Sequence, residues 1–346
     1  MRALSFVAAL AALSAPLPAL AVTATDLITG FNTIVLTDLD ASSETRGSVF
    51  VGGNISGNSY TVNPEGLPNF TFDNGVSGAL VVGGNITSGI NMGSGDTAVG
   101  GQITGGFNNN GGGAITQNLG ANTPTGVPVN DVANALIGAS SDLSTLSSTG
   151  GQAFTSDNNN VRFVAQANPA DNLVVFNLSQ QEIEDLAVSG SFLGVQNNDG
   201  TLLDSAVTAI VNIDTSLTTN NEFVYRLNPT GASSGQTNVI FNVFSSDPGA
   251  PTVEIASSGA FGLLAPTADV QIGNGNAGFV VGNNVDQNGQ IRTGTNQSLF
   301  TGVLPPSRTI IPLPAPVAML LSGLAVLGAV GIRRRRLGRA EVPAPI

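Results

Sequence analysis

Gly47-Ser-Val-Phe-Val-Gly-Gly-Asn-Ile-Ser56 recurs as Gly78-Ala-Leu-Val-Val-Gly-Gly-Asn-Ile-Thr87, in shorter form as Thr97-Ala-Val-Gly-Gly-Gln-Ile-Thr104, and late in the chain as Gly278-Phe-Val-Val-Gly-Asn-Asn-Val285. The unit is constant: three or four β-forming residues, glycine with an amide, then another apolar residue. A short apolar run bounded by Gly and Asn reads as a strand. The glycine pair lets the chain bend through positive φ, which asparagine also tolerates. The next apolar residue then points back to the core. Such a unit cannot bury its apolar side alone, so the coils must stack, pairing at about 4.8 Å. The glycine pairs start at 52, 83 and 100, so the coils are unequal in length. The repeat predicts an all-β chain folded as a β-solenoid, β-helix-like body. A β-sandwich of hairpins is the competing architecture.

Composition agrees. Of 346 residues 44 are glycine, 41% are hydrophobic and only 10% are charged. Long helices need charged wet faces, so a helical bundle is excluded; the apolar content excludes global disorder. The chain has no Cys, His, Trp or Lys. That removes disulfides, thiolate and imidazole chemistry, Schiff bases and the P-loop lysine. One stretch breaks the β pattern. Val132, Leu136, Ala139, Leu143 and Leu146 form one stripe of an amphipathic helix over about 131–146, with Asn130 or Asp131 at its start and Gly150-Gly151 beyond its end. It should flank the β body. Ser179-Gln-Gln-Glu182 is a capping box for a second, short helix. Regular strands are expected over 161–165, 173–178, 209–214, 223–227, 238–244 and 253–256, and Gly105 to Gly113 reads as a mobile loop.

Both ends read as signals. Residues 1–21 have a basic start at Arg2, an apolar run and a small-x-small cleavage pattern at Ala19 and Ala21. Residues 307–316 are a proline-rich linker, 317–332 an unbroken apolar stretch, and 333–346 a tail opening with Arg333, Arg334, Arg335 and Arg336. An apolar span followed by arginines fits a membrane helix with a cytoplasmic tail. Between the ends, residues 22–307 carry 22 acidic residues against four arginines, Arg46, Arg162, Arg226 and Arg292. Such a body repels nucleic acid.

The C-terminal arrangement, with Pro312, Leu313, Pro314 and Ala315 before the apolar span and the arginines, resembles the PEP-CTERM sorting signal in its VPLPA variant. The resemblance implies a Gram-negative source and an exosortase-like processing protease. Ile311 stands where that motif usually has Val, and ten residues follow the arginine cluster. Over residues 26–306 a second resemblance runs through Phe31-Asn32, then Gly52-Gly53-Asn54, Ala265-Pro266 and Gly302. These are similar, in order, to the choice-of-anchor A family, which implies one secreted, surface-attached, adhesin-like domain over 22–306.

Paired carboxylates are the remaining catalytic option. Glu182, Glu184 and Asp185 cluster on the short helix, where acids also favour the helix dipole. Asn197, Asp199 and Asp204 are the candidate Ca²⁺ oxygens, and 157–160 is a similar polar turn; neither matches a calcium-loop spacing. The glycine pairs precede strands and no lysine follows, so they are not phosphate cradles. No regular Thr-x-Thr ladder is visible. The expectation is therefore a non-enzymatic adhesin-like protein without a resident cofactor. It is exported, membrane-held, then processed, with an extracellular polysaccharide or surface as partner. A carbohydrate-active solenoid enzyme and an ice-binding protein are the alternatives.

Overall fold

Every residue of strand Val49–Val51 is buried, on both of its faces. Val49 and Val51 point into an interior enclosed by the sheets. Phe50 points the other way, into a second core beneath two helices. A parallel strand covered on both sides reads as a continuous apolar run rather than an alternating one, which is why the repeated units contain Val-Phe-Val and Leu-Val-Val. The computed structural model describes residues 22–305, apart from 73–74, 121–127, 150–152, 158–159, 166–171, 188–189, 230–235, 260 and 293–299. The expected signal peptide, sorting motif, apolar span and arginine tail lie outside the described residues. Among the described residues no helix is long and apolar enough to cross a membrane.

The architecture is mostly β, with parallel sheets. A ten-stranded sheet runs in the order Ile115–Thr116, Thr97–Val99, Leu80–Val82, Val49–Val51, Thr33–Val35, Val280–Gly282, Gly262–Ala265, Val239–Phe244, Thr208–Asp214, Leu173–Asn177. The six-stranded second sheet runs Glu222–Tyr225, Thr252–Ile255, Asp269–Ile272, Val285–Gln287, Leu39–Ala41, Ile55–Gly57. A six-stranded third sheet includes Gly89–Met92, Ser59–Val62, Glu44–Thr45 and Ile291–Arg292. The chain visits the sheets in turn: Thr33–Val35 in the first, Leu39–Ala41 in the second, Glu44–Thr45 in the third, then Val49–Val51 in the first again. Parallel neighbours need a long connection between them, and the strands of the other two sheets supply it. Among the described strand pairs only Ala153–Asp157 with Asn160–Ala165, and Phe70–Thr71 with Ser77–Gly78, are antiparallel. A sandwich built from hairpins does not describe this pairing.

Strand order also records the path. The first strand, Thr33–Val35, lies in the middle of the ten-stranded sheet. Later strands add outward to Ile115–Thr116 at one edge. The chain resumes at the opposite edge with Leu173–Asn177 and adds inward until Val280–Gly282 pairs with Thr33–Val35. The same closure joins Val285–Gln287 to Leu39–Ala41, and Ile291 to Thr45.

Between the two halves runs a long helix. Three α-helices are described: α1 (Ala24–Gly30), α2 (Val129–Ser144) and α3 (Gln180–Leu186). The α2 stripe Val132, Leu136, Ala139 and Leu143 is buried against the outer face of the ten-stranded sheet, with α1 beside it. Val129 sits over Gly52 and Gly83, while Ser140 and Leu143 reach Asn242 and Asn212, so α2 crosses the strands from one half to the other. Asn242 Nδ2 donates to the Ser140 carbonyl at 3.0 Å and Asn212 Nδ2 to the Leu143 carbonyl at 2.8 Å. These bonds tie the C-terminal end of α2 to the sheet beneath it. The helix starts at Val129 after Pro128 with no side-chain cap, so Asn130 and Asp131 lie inside its first turn instead of capping it. Proline with φ −58° is already set for helix entry. Ser179 does begin α3, its N–H donating to Glu182 Oε2 at 2.8 Å.

Two further expectations are corrected. None of Gly52, Gly53, Gly83, Gly84, Gly100 or Gly101 has a positive φ. These residues are glycine because the backbones of successive repeats touch there: a Cβ at Gly83 would lie 2.0 Å from the Gly52 carbonyl oxygen, and one at Gly100 2.2 Å from that of Gly83. Within 105–113, Phe107–Asn109 is a strand paired with Ile90, Asn91 and Met92. Its glycine-rich flanks hide a third-sheet strand whose Phe107 packs on the core.

Candidate functional site

The second sheet turns one face to the core and one to solvent. Leu39, Ile55, Val270 and Val285 point inward. The alternate residues make two outward ranks. One rank is Val224, Glu254, Gln271, Asp286, Asp40 and Ser56, paired residue to residue through the sheet. It continues through Thr87 and Thr104, which follow the bridged residues Ile86 and Ile103. The other contains Asp269, Asn284, Asp38, Asn54, Asn85 and Gln102.

This second rank is spent on holding neighbouring strands together. Asn284 Nδ2 donates to Asp269 Oδ1 at 2.8 Å, and the Asn54 N–H to Asp38 Oδ1 at 2.7 Å. Asn54 Oδ1 accepts from the Asn85 N–H, and Asn85 Oδ1 from the Gln102 N–H, both at 2.9 Å. The amide of each Gly-Gly-Asn unit is thus a rung to the next repeat. The first rank is freer. Thr87 Oγ1 donates to the Ile55 carbonyl at 3.1 Å, which fixes its orientation, and Ser56, Thr87 and Thr104 are all exposed. The face has two zones. Asp38, Asp40, Glu254, Asp269 and Asp286 make one half acidic, with Asp40 directly beside Asp286. From Asn54 to Thr104 both ranks are uncharged.

The hydroxyl row was missed in sequence because it does not read as Thr-x-Thr. Ser56, Thr87 and Thr104 are 31 and 17 residues apart. Aligning the repeats on Gly-Gly-Asn-Ile and its Gly-Gly-Gln-Ile variant places all three at one position, and that alignment was the signal.

The other expected residues fall elsewhere. Asp199 Oδ1 accepts from the Thr201 N–H at 2.9 Å and hydroxyl at 2.6 Å, and those bonds hold its carboxyl below the usual range. Asp204 Oδ1 accepts from the Ala206 N–H at 2.9 Å, and Asn197 binds Thr201. Each therefore closes its own turn. Among the described residues no group of three or more acidic side chains could hold a metal ion. Glu184 and Asp185 accept from Gln180 and Gln181 on their own helix. Arg46 lies between Glu44 and Glu65 at 2.8 and 2.9 Å, Arg226 is 3.9 Å from Glu254, and Arg292 donates to Gln290. Those three arginines do not join Glu182, Glu184 and Asp185 in a cleft. Phe31 and Asn32 are fully buried where α1 enters the first strand. Gly52, Gly53 and Asn54 form the corner between strands Val49–Val51 and Ile55–Gly57, Ala265 and Pro266 are a buried corner, and a Cβ on Gly302 would meet Phe300 and the Thr208 hydroxyl at 2.5 Å.

Residues 24–293 match the family described as "Putative Ice-binding-like adhesive domain". No curated protein and no solved structure matches the chain. The matched span runs from α1 to the last strand of the third sheet, so it takes in both halves of the fold. An adhesive-domain family supports an adhesin-like role at a surface or outside the cell. The chain belongs to this family of ice-binding-like adhesive domains.

Proposed function

We propose that residues 22–306 are the adhesive module of an exported surface protein, a β-solenoid that sticks through the outward face of its second sheet. The carrying observation is the uncharged zone Asn54 to Thr104, where backbone-anchored hydroxyls and amides repeat coil after coil. Such an array is ordered before binding, which lowers the entropy cost of adhesion. Its partner is an extracellular polysaccharide or a solid surface; the acidic zone beside it disfavours polyanions. The terminal signals support export, a membrane-held precursor and release by an exosortase-like protease in a Gram-negative envelope. The choice-of-anchor A resemblance supports the same placement. No resident metal or other cofactor is part of this reading.

The test is binding of the purified full-length chain to exopolysaccharide and to abiotic surfaces. Ser56→Tyr with Thr87→Tyr should weaken it at least about tenfold by disrupting the rank. EDTA should change neither binding nor the melting temperature. Unaltered binding by the double variant would refute the sheet-face assignment. A second reading is favoured by one observation: the Ser56, Thr87, Thr104 row is the stacked hydroxyl ladder that sequence inspection did not find. Ice-recrystallisation inhibition, lost in the same double variant, would select ice as the surface.

A further inference from the structure

A second site lies away from that sheet face. Between the C-terminal end of α1, the hairpin Phe70–Thr71/Ser77–Gly78 and the segment at Phe300 is a cavity of about 500 Å³. A groove of about 260 Å³ continues from it, sharing Thr29, Gly30, Phe70 and Thr71. Small-molecule sites occupy this size range.

Its chemistry is mixed in a specific way. Phe70 is half-buried, with its ring centroid 4.7 Å from Phe31 and 4.8 Å from Phe72. The ring also lies directly against the α1 backbone at Gly30, where a Cβ would fall 2.0 Å from Phe70 Cδ2. Phe70 is therefore a fixed aromatic wall. Around it stand the hydroxyl side chains of Thr29, Thr71, Thr301 and Ser48. Ser48 is 1% exposed, lines the cavity, and makes no side-chain hydrogen bond among the described residues. Behind it, Asn32 is fully buried with both amide atoms unpartnered. Its Oδ1 lies 1.6 Å from the place a Cβ on Gly47 would take, and that place is 3.1 Å from Leu67, another wall of the cavity. Of the two, only Ser48 reaches the cavity, and an unpaired polar group at a cavity wall marks a place where a partner is expected. Among the described lining residues there is no cation, and Asp26, at the outer groove, is the sole acid.

We propose that this cavity binds a neutral saccharide. The C–H face of a sugar ring lies against Phe70, whose ring face is negative. Sugar hydroxyls meet Ser48, Thr71 and Thr301. The absence of a lining cation leaves nothing to hold a carboxylate or sulfate, and Asp26 repels one. A purely apolar occupant would leave the Ser48 hydroxyl unpaired. The site is distinct from the sheet face, so either assignment can fail alone.

The experiment is saturation-transfer NMR on the full-length chain with methyl β-D-glucopyranoside, methyl α-D-mannopyranoside, cellobiose and maltose, and with glucuronic acid as anionic control. At least one neutral probe should receive transfer to its ring protons and glucuronic acid should receive none. Thr71→Trp, at an exposed position, fills the groove and should raise Kd at least about tenfold; Ser48→Ala should raise it about fivefold. Thr87→Tyr on the sheet face should leave it unchanged. No transfer to any neutral probe, equal affinity in Thr71→Trp, or preference for glucuronic acid would overturn the proposal. So would tighter binding of a hydrophobic peptide than of any sugar.

Discussion

At the residue scale, the glycine pairs show how a repeat can be legible while its cause is not. Gly-Gly looks like a flexible bend, yet its function is to let one backbone lie on another. Gly83→Ala would force a Cβ against the Gly52 carbonyl, a backbone atom that cannot swing aside. We expect it to cost about 3 kcal/mol. Gly106→Ala, with nothing within 4 Å of its new methyl, should stay within about 0.5 kcal/mol of the parent. Urea midpoints of the two variants test this; equal midpoints would return the pair to its turn role. The strand residues were readable because apolar runs show directly in sequence. The Ser56, Thr87 and Thr104 row was not, since repeats of unequal length destroy any fixed period.

At the element scale, α2 was foreseeable from its stripe, and its true limits differ from expectation by only two residues. What the stripe could not show was the polar end. Asn177, Asn212 and Asn242 stack across three strands: Asn212 Nδ2 donates to Asn177 Oδ1 at 2.8 Å and Asn242 Nδ2 to Asn212 Oδ1 at 2.9 Å. The same Asn242 accepts from the Ser140 hydroxyl at 2.7 Å. Asn242→Ala removes the partner of the Ser140 hydroxyl and the donor to Asn212 Oδ1 in a dry site and should destabilise by about 2–3 kcal/mol. Gly138→Ala tests the opposite sign: its methyl meets nothing within 4 Å, so helix propensity should raise stability by up to about 1 kcal/mol. Thermal melts of the two variants should therefore move in opposite directions. The cavity beside α1 was invisible for a related reason: Thr29, Ser48 and Phe70 come from separate segments of the first half, and Phe300 joins them only when the chain closes.

At the scale of the whole molecule, that closure dominates. The two halves meet where Ile34 faces Val281 and Leu39 faces Val285, pairs separated by nearly the full domain. No local pattern in either segment announces its partner, so strand order was the part of the fold least open to sequence reading. Residues near both ends of the domain, Leu27, Phe31, Phe300 and Leu304, share one core. A circular permutant that links the ends near residues 22 and 305 and opens the chain between 121 and 127 preserves the described strand pairs. We expect it to fold with a circular dichroism spectrum like the parent's; loss of β signal would mean that the native order of connection is required.

Synthesis proceeds from the first residue, so Thr33–Val35 emerges early and waits for Val280–Gly282, almost the last strand made. Until then one edge of the nascent half stands open to any passing strand. A domain wired in this way is safest when its chain is kept unfolded until it is complete, and its yield in cells should depend on how long that interval lasts.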